Sequence, residues 1–261
     1  MRTAALATIL TLLIVSIEAQ KQDLRRHFEG IKGTFVLLNG QTGEYVRHDA
    51  KRAAQRFPPC STFKIPHTAI LLDAGAALDQ DHTLKYEPAL KQPNYWAKDQ
   101  SLKSAFQTSA LWYYQVLAQR LGLPAETQYV QQFRYGNGVT SGGLDLASPF
   151  WIDGSLRISA NEQVEFLKRF YNGELGLSER TTRVTKEIIV AEENDRWRLS
   201  AKTGACQPKG EDVTLWYTGY VEKGANVYYF AMQMGEAEFG ELFKRRATKA
   251  REILAHLGVL D

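Results

Sequence analysis

Two β-rich stretches lie at opposite ends of this chain, and any fold must bring them into one sheet. Near the start, residues 33–47 read GTFVLLNGQTGEYVR, two β-rich runs around an Asn-Gly turn region, which is a hairpin signal. From Arg196 the same texture returns in WRLSAKTG, TLWYTGYVE and ANVYYFAMQMG, with a two-residue period and aromatic content suited to antiparallel pairing. Between them the pattern is helical. One helix is expected to open near Ser61 and run through IPHTAILLDAGA, with Gly75 close to its end, and others over residues 105–120 and 161–171. A last helix is expected over residues 241–257. Strands at both ends with helices between predict an α+β fold whose sheet is assembled from the two termini. The expected division is a sheet lobe from about 20–57 and 195–261 and a helical lobe from about 58–194. No internal repeat or low-complexity linker interrupts this plan.

Composition excludes several function classes. With 44% hydrophobic and 23% charged residues the 261-residue chain reads as globular, not disordered or fibrous. A net charge of +3 with scattered basic residues does not suit nucleic acid. The run Lys244-Arg245-Arg246 reads as the solvated face of the last helix, with one arginine available to a ligand. The start, MRTAALATILTLLIVSIEAQ, has an early Arg2 and an apolar segment from Ala4 to Ile17, short for a membrane span. Ala19 suits the position before a cleavage point, although Ile17 matches the small-residue preference poorly. Residues 1–19 are expected to be a signal peptide, against the alternative of an uncleaved anchor, and residues 20–261 a soluble, exported domain with no membrane contact once mature. Export permits a disulfide between the two cysteines, Cys60 and Cys206. The five histidines lack zinc-type spacing, so no catalytic metal is expected.

The candidate chemistry begins in PPCSTFKIP, where Ser61 and Lys64 stand three residues apart. On a helix such residues share a face, so hydroxyl and amine can meet. Serine is a poor nucleophile until a base takes its proton, and a lysine made neutral by burial is such a base. Alone the pattern is weak, since about one S-x-x-K is expected by chance in a chain of this length. Cys60 is a rival nucleophile, but a reactive thiol needs an adjacent activator, and His67 stands seven residues on. Company strengthens the serine reading. Ser109-Ala110-Leu111 lies in the helical middle, Tyr135-Gly136-Asn137 follows, then Trp151 in SPFWIDGSLRIS, and Lys202-Thr203-Gly204 lies in a strand pattern. Each has an ordinary reading as well: Trp151 as core, Ser109 as a helix residue bonding its own backbone, Thr203 as a strand residue and Lys202 as a surface lysine.

S-x-x-K with K-T-G is part of the signature of penicillin-binding proteins and serine β-lactamases. The ordered set, with S-x-L, Y-G-N and a following tryptophan, resembles the class D (oxacillinase-type) β-lactamases over essentially the whole chain after residue 19. The words SPFWIDGSLRISANEQVEFL and AKTGA carry that resemblance more specifically than any triplet. One departure is Leu111, where valine is usual. It is expected to alter packing beside Lys64 and not the proton chemistry.

The resemblance implies a β-lactamase/transpeptidase fold and hydrolysis of β-lactam antibiotics through an acylated Ser61. Lys64 is implied to be N-carboxylated by carbon dioxide and to act as general base, with Trp151 donating its indole N–H to the carbamate. Ser109 is implied to pass a proton to the departing nitrogen, with Lys202 shaping the field. Thr203 and Arg246, or its rival Arg245, are implied to bind the substrate carboxylate. The N–H groups of Ser61 and Ala205 would form the oxyanion hole. Gly204 and Leu111 complete the substrate edge, and Tyr135 and Asn137 shape the adjoining loop. No cofactor beyond carbon dioxide, a periplasmic location, and a monomer or homodimer follow from the same resemblance. A β-lactam sensor and a slowly deacylating D,D-peptidase remain the alternatives.

The implied oxyanion hole also bears on the cysteines. It would bring Ser61 and Ala205 together, and so their neighbours Cys60 and Cys206 towards disulfide distance. A second resemblance agrees, because some class A serine carbapenemases carry a bonded pair at the corresponding places. A Cys60–Cys206 disulfide is expected.

Overall fold

The structure is a computed structural model and describes residues 23–261; the expected signal segment, residues 1–19, lies outside them. Its frame is a six-stranded antiparallel sheet in the order β2-β1-β10-β9-β8-β7. Strands β1 (Lys32–Asn39) and β2 (Tyr45–His48) come from the beginning of the chain. Strands β7 (Val190–Glu193), β8 (Trp197–Cys206), β9 (Val213–Lys223) and β10 (Asn226–Glu236) come from its end. The two groups meet where Phe35 of β1 pairs with Met232 of β10. The hairpin expected around Asn39 forms, with the Asn39 side chain accepting from the N–H groups of Gln41 and Thr42.

Alternation along the strands gives each face its own core. In β9, Leu215, Tyr217 and Val221 face one way, against Ile253 and Leu254 of helix α8 (Glu241–His256). Trp216 and Tyr220 face the other way, into a larger aromatic core that includes Phe63, Tyr114, Phe150, Trp151 and Phe166. That second core is filled by the intervening helices. After the single turn α1 (Ala50–Ala53) come α2 (Lys64–Asp73), α3 (Leu102–Thr108), α4 (Leu111–Leu121), α5 (Leu123–Gln132), α6 (Ala160–Tyr171) and α7 (Glu179–Ile188). Short ladders β3 (Arg56–Phe57) with β6 (Ile158–Ser159), and β4 (Thr83–Leu84) with β5 (Gln100–Ser101), close the connections. Helix α6 starts with a full capping box, Ser159 and Glu162 each bonding the other's backbone N–H.

One helix expectation is corrected. The pattern over residues 105–120 predicts a continuous helix, but the chain breaks it at Ser109, which takes a left-handed conformation with φ 60°. Ser109 N–H donates to Phe106 O at 3.2 Å and Ala110 N–H to Ala105 O at 2.9 Å, closing α3 before α4 begins. The left-handed region is unfavourable for a side chain with a Cβ, so a serine there is held by its surroundings.

Candidate active site

Residues 60–63 form a 3-10 turn that leads directly into α2. Cys60 also has a positive φ, 51°, the second left-handed non-glycine residue among the motif positions. This turn is tied down from three sides. Cys60 N–H donates to Trp151 O at 3.0 Å, Trp216 Nε1–H donates to Pro58 O at 2.8 Å, and a disulfide joins Cys60 to Cys206 with a Cα–Cα distance of 5.6 Å. Gly204 lets β8 come close: a Cβ there would stand 2.9 Å from Pro59 O and 3.0 Å from the Thr62 methyl group. The turn that carries Ser61 therefore packs against the Gly204–Cys206 end of β8, with the Ser61 N–H in the first turn of a helix, where no intrahelical acceptor exists.

Within this frame Lys64 Nζ lies 3.1 Å from Ser61 Oγ. Lys64 is only 1% exposed and its Nζ stands 5.2 Å from the centre of the Tyr114 ring. Burial, first, and the charge of Lys202, second, hold its pKa well below the ordinary lysine value. Lys202 is buried too, and burial followed by the charge of Arg246 brings its pKa down to about 7. Its Nζ donates to Thr203 O at 3.2 Å and lies 5.7 Å over the Phe106 ring. Both lysines are thus desolvated, and the charge of Lys202 favours the neutral form of Lys64.

Ser109 sits at the sharp α3–α4 turn, in the chain segment between Phe106, whose ring centre lies 5.7 Å from Lys202 Nζ, and Tyr114, whose ring centre lies 5.2 Å from Lys64 Nζ. Leu111 opens α4 and is half-buried against the aromatic core. The Trp151 ring stacks on Phe63 at 5.6 Å and meets His67 edge-on at 5.0 Å, so it packs on the same turn of α2 as Lys64. Tyr135 is buried, edge-on to Phe63, with its hydroxyl donating to Gln163 Oε1 at 3.3 Å. Asn137 Nδ2 donates to Ser155 O at 2.8 Å and Asn137 Oδ1 accepts from Arg157 N–H at 3.0 Å, binding its loop to the Trp151 segment. Gly136 between them has φ 58°, and a Cβ there would stand 2.0 Å from Arg157 O.

The two arginines differ. Arg245 is exposed. Arg246 is half-buried, its pKa is lowered by burial, and its charge is felt by Lys202. Arg246 Nε is buried without a partner among the described residues. A cleft of about 310 Å³ opens between α3 and the β7–β8 pair, lined by Phe106, Lys202, Thr203 and Tyr217 among others. Sequence reasoning passed over Phe63, Phe106, Tyr114 and Trp216, whose roles come from long-range packing. For Trp216 a signal was available, the alternation in TLWYTGY that places it on one face with Tyr220.

A serine and a buried lysine on one helical turn, packed against a K-T-G strand in an antiparallel sheet, form an arrangement suited to serine acyl transfer. The family described as "Penicillin binding protein transpeptidase domain" matches residues 33–255. The chain is 35% identical over 231 residues to β-lactamase OXA-20 of Pseudomonas aeruginosa, covering 88% of this chain and 84% of that one. It is 35% identical over 251 residues to β-lactamase OXA-48 of Klebsiella pneumoniae, covering 95% and 93%. Among solved structures, the class D β-lactamase YbXI from Nostoc superposes with a TM-score of 0.86 at 31% identity, covering 91% of this chain and 99% of that one. FUS-1 from Fusobacterium nucleatum subsp. polymorphum gives 0.86 at 28% identity, covering 93% and 99%. This chain belongs to the class D serine β-lactamases, a family of acyl-enzymes that need no metal or organic cofactor.

Proposed function

We propose that the chain hydrolyses the β-lactam ring of penicillin-type antibiotics, with Ser61 as nucleophile and N-carboxylated Lys64 as base in both half-reactions. The observation that carries this reading is the 3.1 Å approach of Lys64 Nζ to Ser61 Oγ inside a desolvated pocket. A neutral lysine amine adds to carbon dioxide and releases one proton, and low exposure favours the neutral amine. Ser61 Oγ then attacks the lactam carbonyl while its proton passes to the base on Lys64. The C–N bond breaks, and Ser109 relays that proton from the base to the departing nitrogen, which frees the base for the second half-reaction. In the second half the base takes a proton from water, the hydroxide adds to the ester, and Ser61 leaves with its proton restored. The N–H groups of Ser61 and Ala205 stabilise the oxyanion in each half. Trp151 holds the carbamate, Leu111 and Gly204 bound the substrate edge, and Tyr135 and Asn137 hold the loop that carries Trp151. Residues 20–261 form the catalytic domain, divided into the two lobes described, and act in the periplasm after loss of residues 1–19.

Nitrocefin in bicarbonate buffer at neutral pH tests this directly. Continuous turnover is expected, and a single stoichiometric burst without turnover would sink the hydrolase reading. Acidic, bicarbonate-free buffer is expected to abolish activity, and added bicarbonate to restore it. The sign follows from the depressed lysine values: falling pH protonates Lys202 below about 7 and returns Lys64 to the ammonium form, which does not react with carbon dioxide.

Thr203 and Arg246 bind the substrate carboxylate in this reading. Arg246→Ala is expected to raise KM for benzylpenicillin by about 10- to 100-fold, the worth of a charged hydrogen bond. Arg245→Ala should change it by less than about twofold, because an exposed charge contributes little. The reverse ranking in a steady-state comparison would move the assignment to Arg245.

A further inference from the structure

Three residues after Lys64 on α2, His67 is fully buried, and its Nε2 lies 2.8 Å from Oε1 of Glu126, a carboxylate on α5 that is equally buried. The chemistry described above uses neither residue. Burying such a pair is expensive, and apolar side chains of similar volume commonly replace one without loss of stability. The pair is also sparsely supported: His67 Nδ1 and Glu126 Oε2 are buried with no partner among the described residues. One hydrogen bond holds it together.

What that bond orients is the wall of the base pocket. The His67 ring packs 5.3 Å from the ring of Tyr114, 5.0 Å from that of Trp151 and 5.2 Å from that of Phe63. Tyr114 is the ring that faces Lys64 Nζ, and its hydroxyl meets Thr68 Oγ1 at 2.8 Å. Trp151 is the residue whose carbonyl holds the serine turn. An imidazole rotates about its Cβ–Cγ bond unless a ring nitrogen is anchored, and a rotated ring would press on both neighbours.

We propose that His67, anchored by Glu126, is a positioning residue for the Lys64 base, fixing Trp151 and Tyr114 around the carboxylated side chain. This rests on the carboxylated-Lys64 reading above. It assigns no proton transfer to the pair, which acts through the rings it touches.

The test is the bicarbonate concentration that gives half-maximal nitrocefin turnover at neutral pH, read beside thermal unfolding. Glu126→Leu removes the anchor while leaving the imidazole. It should raise that concentration about tenfold, the upper worth of one buried hydrogen bond. Glu126→Gln keeps an acceptor opposite His67 Nε2 and should raise it less than about threefold. The double variant His67→Phe/Glu126→Leu replaces the pair by apolar groups, should unfold no earlier than the parent, and should show the tenfold rise as well. A folded Glu126→Leu or double variant with the parent's bicarbonate requirement overturns the proposal, and if one of the two does not fold the other decides. So does Glu126→Gln shifting as far as Glu126→Leu. A parent enzyme indifferent to bicarbonate would show first, before any substitution. It would overturn the carboxylation reading and this inference with it.

Discussion

Lys64→Ala is expected to reduce steady-state nitrocefin turnover by about 10⁴-fold, the upper end of what a positioned general base contributes. Acyl-enzyme formed slowly by the variant should persist on intact-mass analysis, because the same base serves water in the second half-reaction. The structure makes the loss hard to bypass. Lys64 is the ionisable group that the structure sets within hydrogen-bonding distance of Ser61 Oγ among the described residues. Lys202 is next nearest in electrostatic effect, and its ammonium is engaged with Thr203 instead. Stability should change little, since the substitution removes a buried stem but also a poorly solvated amine. A folded variant retaining more than about a hundredth of parental turnover would mean that another group activates Ser61.

Much of this site was legible because its chemistry is written in short local words. Ser61 and Lys64 share a helical turn, and Lys202-Thr203-Gly204 lies on a strand, so local periodicity places each correctly. The sheet was legible for the same reason: WRLSAKTG, TLWYTGYVE and ANVYYFAMQMG alternate, and alternation survives as β8, β9 and β10. The break at Ser109 was not legible, because a left-handed serine contradicts local preference and is imposed by packing between α3 and α4. Nor was the His67–Glu126 pair, whose members stand 59 residues apart and meet only after α2 and α5 pack. The choice between Arg245 and Arg246 likewise turns on one residue of helical phase, about 100°, which a basic run does not specify. Burial and the field at Lys202 favour Arg246.

Reduction of the Cys60–Cys206 bond, or its replacement by paired serines, should lower stability by about 5 kcal/mol on the chain-entropy model. The bond closes a loop with a sequence separation of 146 residues, and the unfolded chain gains most when a loop that long is released. For a domain of this size that is a fall in unfolding temperature of about 10–20 °C. Thiol titration of the denatured, unreduced protein should find no free sulfhydryl. Activity at 25 °C should fall much less than stability, because the serine turn keeps its other ties. Trp216 Nε1–H still donates to Pro58 O, the backbone N–H at position 60 still donates to Trp151 O, and Gly204 still admits β8 against Pro59. The disulfide then acts mainly on the unfolded state, while the native hydrogen bonds set the oxyanion hole. Thermal unfolding and kcat/KM measured on the same reduced sample separate these roles. A loss of kcat/KM beyond about 100-fold in protein still folded at 25 °C would show that the bond itself aligns Ser61 with β8.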